Sequence, residues 1–456
     1  MSYNRLSQSL SSSWLSDSYL LSSFHPSDTD SSQWLKHWES VLAKDLIDSR
    51  IVPVDEETSV EEACDILLKE DIPCLAVKAT CSTSTKPFIG LFDFSDVNAF
   101  LTLAATRHTL LPEYLRENTR INQIVSAAIA GRVPVQLVSN LSEKNPLEIL
   151  PEDASILDLL KVFSLGTHRV LVRSCTNEQE YLGMVSDGRL LSWFASYAKE
   201  TPAFKKYSSN TLNSLYLPSL NLNSAVVSST SNETVLDAMK LMSEEGVSSI
   251  AILDEETGNL LSAVSVTDIG RVVVPYQSNH ILSAPLHKFV SLIKVNDDPD
   301  PDGSMDGIDK YPVYSVYPYS TLSYTIEKLL ATNAHRVFVT QDSVSVVAPL
   351  VNPAPLGKIC GIVSIVDILS LFARLAKIPN IDPTMMQRHR RASSASSSSR
   401  SERDLFRSRS NSRTAIRGSP ILVAASPPVM IGSPDSGISN MDLHMRERLQ
   451  RRDISS

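Results

Sequence analysis

At 456 residues the chain has room for about three domains of roughly 100–200 residues each. A 20% charged fraction, a 42% hydrophobic fraction and a mean hydropathy of -0.04 exclude a protein embedded mainly in membrane, and no run approaches the roughly 18 apolar residues of a spanning helix. The net charge of -9 gives no reason to expect nucleic acid as the main partner, and five scattered cysteines argue against a disulfide scaffold and for a reducing compartment.

The first residues, Met1 to Leu6, lack the basic-then-apolar pattern of a secretory signal. Residues 1–32 are dominated by serine around islands such as Trp14-Leu15 and read as a disordered tail. Trp34, Leu35, Trp38, Val41, Leu42 and Leu46 then fall at helical spacing. They predict a leader helix that packs on the first folded module, with a partner-docking helix as the rival account.

From there a strand–helix–strand unit occurs four times. The first runs through Val52–Val54, Ser59–Lys69 and Ile72–Val77, and the second through Leu147–Leu150, Ser155–Phe163 and His168–Val172. The third runs through Ala225–Val227, Glu233–Met242 and Ser249–Leu253, and the fourth through Val313–Val316, Thr321–Leu330 and His335–Val339. Ser59, Ser155 and Thr321 are suitable helix caps. Each unit closes in a further strand, a turn and a helix: Gly90-Leu-Phe-Asp93-Phe-Ser-Asp96, Gly183-Met-Val-Ser186-Asp-Gly-Arg189, Ser262-Ala-Val-Ser265-Val-Thr-Asp268 and Gly361-Ile-Val-Ser364-Ile-Val-Asp367. The pattern predicts a mixed α/β (α+β) fold of four β-α-β-β-α repeats of about 60 residues without insertions. The expected divisions are 33–110 (leader helix and repeat one), 111–200, 201–275 and 276–379.

Between repeats three and four, Asp298-Pro-Asp300-Pro-Asp302-Gly303 to Asp309 has the oxygen spacing of a calcium loop. Asp at the twelfth position is short for bidentate binding, two prolines interrupt the loop and no exit helix follows, so an acidic linker is the better account and no metal is expected. Residues 380–456 carry 13 arginines against seven carboxylates, a net +6 that leaves residues 1–379 near -15. This tail reads as disordered. Ser393, Ser410 and Ser412 follow arginines as in basophilic-kinase sites, and Ser419, Ser426 and Ser433 precede proline. Phosphorylation at these six would reverse the sign of the tail. Ser/Arg-rich sequence also yields such matches freely, and RNA binding is not expected because no aromatic platform accompanies the arginines.

The β-α-β-β-α repeat closing in Gly-h-h-Ser-x-x-Asp, where h is apolar, resembles the CBS motif, and four motifs imply two Bateman modules. Ala334-His335-Arg336-Val-Phe-Val with Ser364-x-x-Asp367 resembles the last motif of the AMP-activated protein kinase γ subunit, and Thr167-His168-Arg169 with Arg189 resembles its second. With serine-rich tails added, the whole resembles a fungal family of four-CBS proteins named for suppressing phosphatase and anaphase-promoting-complex defects. That resemblance implies a cytoplasmic and nuclear regulator that restrains type-2A-like serine/threonine phosphatases in mitosis, DNA replication, cell separation and nutrient stress. A γ-type kinase subunit and a ligand-free scaffold are the rival accounts.

The resemblance also implies clefts for AMP, ADP or ATP as a regulatory ligand, with no cofactor required. Asp268 and Asp367 are then ribose candidates, each charge-assisted bond being worth about 1.5–3 kcal/mol. Ser265, Ser364, His168, Arg169, His335 and Arg336 are phosphate candidates. Asp96 is a weakened ribose candidate, because Asp93 puts a carboxylate where the phosphate would lie. The third repeat has Glu245-Gly246-Val247-Ser248 where the γ subunit has a phosphate-binding arginine, and Arg189 marks a cleft left empty in the γ pattern. The plainer account of each Asp is an N-terminal helix charge that complements the dipole. No P-loop, nucleophile elbow or His-Glu-x-x-His motif occurs, so no enzyme activity is expected, and Cys64 and Cys74 read as core residues.

Overall fold

Alternation along the inner strand of each repeat sets the architecture. In Cys74-Leu75-Ala76-Val77 all four side chains are buried, so both faces of the strand must be covered. The computed structural model describes residues 26–80, 87–215, 217–221, 226–276, 280–297, 315–341 and 357–381. The six tail serines, the Trp14-Leu15 island and the Asp298–Asp309 stretch lie outside the described residues.

A leading helix, α1 (Asp28–Ser40), precedes repeat one, which comprises β1 (Pro53–Asp55), α2 (Val60–Lys69), β2 (Cys74–Lys78), β3 (Phe88–Asp93) and α3 (Phe94–Thr106). Three connecting helices follow: α4 (Pro112–Glu117), α5 (Thr119–Ile129) and α6 (Val135–Val138). Repeat two is β4 (Glu148–Pro151), α7 (Ile156–Phe163), β5 (Arg169–Arg173), β6 (Tyr181–Ser186) and α8 (Asp187–Glu200), with α9 (Pro202–Ser208) behind it. Repeat three is β7 (Ser228–Thr230), α10 (Val235–Glu244), β8 (Ser249–Leu253), β9 (Leu260–Ser265) and α11 (Val266–Tyr276), followed by α12 (Leu286–Asp297). Repeat four is β10 (Ser315–Val316), α13 (Leu322–Ala331), β11 (Arg336–Gln341), β12 (Lys358–Ser364) and α14 (Ile365–Leu375). Each repeat forms its own three-stranded sheet, with the first two strands parallel and the last pair antiparallel. The first helices of repeats one, two and four are capped as the sequence predicts: Ser59 accepts from the Glu62 N–H, Thr321 accepts from the Tyr324 N–H, and Ser155 gives its hydroxyl and N–H to Asp158.

The repeats join in two different ways. Cys74, Ala76, Phe88 and Leu91 of repeat one meet Leu171 and Met184 of repeat two, sheet against sheet. Ala251 and Leu260 of repeat three meet Phe338 and Ile362 of repeat four in the same manner. These contacts make the two Bateman modules. The alternate residues Leu75, Val77 and Phe92 turn instead into a helix-side core shared with Met239, Ile250 and Ile269 of repeat three. A second helix-side core joins Leu159, Phe163 and Phe194 of repeat two to Leu322, Ile368 and Phe372 of repeat four. The four repeats thus close into a ring, and the largest cores run between modules. Asn98 on α3 reinforces the seam between repeats one and three, donating to the Met239 carbonyl at 3.2 Å and to Ser243 Oγ at 3.1 Å.

The leader helix packs on the first module as expected, but it differs in extent and reaches the second module as well. It starts at Asp28 behind a Ser27 cap and ends at Ser40; the chain then extends and re-forms as a single 3-10 turn over Ala43–Leu46. It packs on repeat two of the first module and on repeat four of the second, rather than on repeat one with which it was grouped. Trp34 meets Phe204 edge-on at 5.0 Å, and Trp38 meets Phe194 at 5.0 Å and Phe372 at 6.4 Å. Periodicity identifies a buried face but not its counterpart. The first strand of repeat three also starts later than predicted, at Ser228, because its residues are Ser-Ser-Thr and the apolar pattern points to the residues before them.

Candidate functional site

The turn closing each repeat is first a helix cap. In repeat four, Ser364 donates its N–H and hydroxyl to Asp367 Oδ2 at 2.8 and 2.6 Å, and the Asp367 N–H returns a bond to Ser364 Oγ at 3.2 Å. Ser265 and Asp268 form the same reciprocal box at 2.7, 2.6 and 3.2 Å. In repeat one Asp93 replaces the serine and accepts from the Ser95 and Asp96 N–H groups at 2.8 and 3.2 Å. In repeat two Ser186 Oγ accepts from the Arg189 N–H at 3.0 Å, and Arg189 is exposed. The helix-cap account therefore holds for all four turns.

At two turns the remaining acceptor capacity is also used. Asp367 Oδ1 accepts the Ser219 hydroxyl at 2.6 Å, from the short 3-10 turn Pro218–Asn221. Asp96 accepts the Asn140 N–H at 3.0 Å, the Ser142 N–H at 2.9 Å and the Ser142 hydroxyl at 2.8 Å. Both carboxylates are buried, so a ribose at either must displace the chain's own segment. Burial, with Asp93 beside it, pushes the Asp96 carboxyl up to about 8, against the N–H donors that favour its charged form. Asp268 is half-buried beside Ser265.

These plugs follow one rule: the segment leading into a repeat lies across the last strand of its module partner. Residues 139–142 cross β3, Ile47–Ser49 bridge Met184 on β6, and residues 217–220 cross β12. Glycine at the start of these three motifs permits the approach. A Cβ at Gly90 would lie 2.6 Å from Ser139 Oγ, and one at Gly183 or Gly361 would collide with Ile47 or with the Leu220 carbonyl. Repeat three has Ser262 at this position, and the corresponding lead-in falls outside the described residues.

The His-Arg pairs separate by role. Arg336 donates through Nη2 to Ser248 Oγ of repeat three at 3.0 Å, and the Ser248 carbonyl accepts from the first N–H of α11 at 2.9 Å. This contact brings Arg336 to the same end of repeat three as Ser265 and Asp268. Arg169, at the equivalent position of the first module, lies near enough to Cys74 of repeat one to act on its thiol, although burial dominates and pushes that thiol up to about 12. Cys64 is raised to about 12 by burial as well, in keeping with core cysteines.

His168 and His335 meet where repeats two and four abut, with ring centres 4.7 Å apart. Between them lies Asp187, its side chain only 2% exposed, with Oδ2 2.8 Å from His168 Nδ1 and 3.7 Å from His335 Nδ1. Burial opposes ionisation of Asp187, but the two histidines outweigh it and hold the carboxyl well below the usual range. Burial also lowers His168, against the pull of Asp187. A buried carboxylate thus occupies the point where the two histidines were expected to receive phosphate, and it repels that anion.

The CBS domain family model matches residues 138–196 and 221–274, in repeats two and three. Protein SDS23 of Yarrowia lipolytica is 30% identical over 403 residues, covering 84% of this chain and 75% of its own length. The chain belongs to the SDS23 family. Protein sds23 of Aspergillus niger is 29% identical over 404 residues, covering 78% of this chain and 76% of its own. Among solved structures, a Methanocaldococcus jannaschii protein described as a suggested archaeal homologue of γ-AMPK aligns with 73% of this chain and 100% of its own, at 14% identity and a TM-score of 0.49. Among the described residues no helix is long and apolar enough to cross a membrane. In this SDS23-family chain the site residues that motif reading missed are Ser142, Ser219 and Asp187. The motif glycines signalled the first two, and the third was visible as one Asp at a helix position where the other repeats carry Phe94, Val266 and Ile365.

Proposed function

We propose that this chain is a non-catalytic regulator that restrains a type-2A-like serine/threonine protein phosphatase, in the cytoplasm and nucleus, in mitosis, DNA replication, cell separation and nutrient stress. Membership of the SDS23 family supports the regulatory part, and the phosphatase rests on the resemblance that the four repeats and serine-rich tails carry. The observation that bears most on mechanism is the pair of carboxylates, Asp96 and Asp367, bonded to the chain's own lead-in segments. A core closed in this way acts on its partner by surface contact. For adenine nucleotide the candidate turn is that of repeat three, where Arg336 of repeat four bonds Ser248 at the end that carries Ser265 and Asp268. Asp268 would take the ribose hydroxyls and Arg336 the phosphate, and the absence of an arginine near Gly246 favours AMP over a triphosphate.

Affinity purification of the tagged full chain, with mass spectrometry and a phosphatase assay of the eluate, tests this reading. The expected result is a type-2A-like catalytic subunit whose activity is lowered by added chain. Kinase catalytic and scaffold chains in its place, or a phosphatase indifferent to the chain, would contradict it.

A further inference from the structure

Asp187 breaks the rule of its own position. It is the first residue of α8, and the equivalent residues Phe94, Val266 and Ile365 are apolar and buried. A carboxylate there is equally buried, and a buried charge is costly unless paired or bound to a cation. Its surroundings are two imidazoles from different modules. The Asp187 N–H bonds the His168 carbonyl at 3.1 Å, and the Ile365 N–H bonds the His335 carbonyl at 3.0 Å, so the backbone holds both histidines in matching places. Asp187 Oδ1 accepts from the Gly188 N–H at 2.7 Å, which leaves Oδ2 facing both rings. His335 Nδ1 is shut off from solvent and has no hydrogen-bond partner among the described residues.

We propose that His168, Asp187 and His335 form a binding site for a divalent transition-metal ion of the zinc class, which clamps repeat two to repeat four. One ligand atom from each residue lies within 4.8 Å of the others. A tetrahedral zinc with bonds of about 2.0–2.1 Å spaces its ligand atoms about 3.4 Å apart. The two separations at Asp187 Oδ2, 2.8 and 3.7 Å, lie on either side of that spacing, so small side-chain rotations suffice. Two neutral imidazoles and one carboxylate, with water in the fourth position, suit Zn²⁺ or Co²⁺ and not the hard oxygen-seeking Mg²⁺ or Ca²⁺. The His335 side chain, 38% exposed, provides the way in for ion and water. The ion would neutralise the buried carboxylate and supply the partner that His335 Nδ1 lacks.

The test uses the full chain, stripped with a chelator and titrated with ZnCl₂ by calorimetry and with CoCl₂ by visible absorption. The expected result is one ion per chain, intense four-coordinate Co²⁺ bands and a raised unfolding temperature with zinc. His335→Gln, at a partly exposed position, should fold with an unchanged unfolding temperature in chelator. It should lose the Co²⁺ bands and bind zinc at least about tenfold more weakly. Co²⁺ bands absent from the wild-type chain, or zinc affinity unchanged in His335→Gln, would overturn the proposal.

Discussion

Asp96 shows how a residue can keep the family motif and lose the family role. Its position six residues after Gly90 is legible in the sequence, as is the unfavourable Asp93 beside it. The donors that occupy it, Asn140 and Ser142, come from more than forty residues away and carry no local signature. Its carboxyl, pushed up to about 8 by burial and by Asp93, binds a proton more tightly folded than unfolded. The stabilisation is therefore complete below the ordinary carboxylate value of about 4 and is lost as pH rises through about 8. Urea unfolding should show the wild-type midpoint falling between about pH 6 and about pH 9, with a smaller fall in Asp96→Asn, which stays neutral. Equal falls in the two proteins would mean that Asp96 is ionised throughout.

At the scale of elements, α1 ties the ring together from outside the repeats. Trp38 is fully buried among Phe194, Phe204 and Phe372, which belong to repeat two, its following helix and repeat four. Trp38→Ala should destabilise the folded core by about 3–5 kcal/mol, measured by chemical unfolding. A cost below about 1 kcal/mol would instead favour a docking role for the helix. The spacing of Trp34 and Trp38 made the helix legible, since an apolar stripe at helical period needs no long-range information. Its end at Ser40 and its exact partners did not show, because both depend on residues more than 100 positions away. The repeat helices were placed to within a residue or two for the opposite reason: Ser59, Ser155 and Thr321 are local caps.

At the scale of the molecule, the sequence made four repeats and two modules legible, because each repeat ends in its own glycine or serine, apolar pair and capped helix. The closure of the ring was not legible. Leu75 and Cys74 are both apolar, and only the pleat sends one toward repeat three and the other toward repeat two. Ring closure also explains why similar motifs differ in chemistry, since three of the turns are met by the segment that leads into the module partner. Asp96 and Asp367 are completed by Ser142 and Ser219, while at repeat three Arg336 reaches Ser248, whose carbonyl accepts from the first N–H of the helix that carries Asp268. Equilibrium dialysis of labelled AMP against the full chain tests most directly whether nucleotide enters at repeat three, beside Asp268. One AMP per chain is expected, lost in Asp268→Ala and Arg336→Ala and retained in Asp96→Asn and Asp367→Asn. Binding that survives Asp268→Ala, a second AMP lost with Asp367→Asn, or no binding at about millimolar ligand would contradict it.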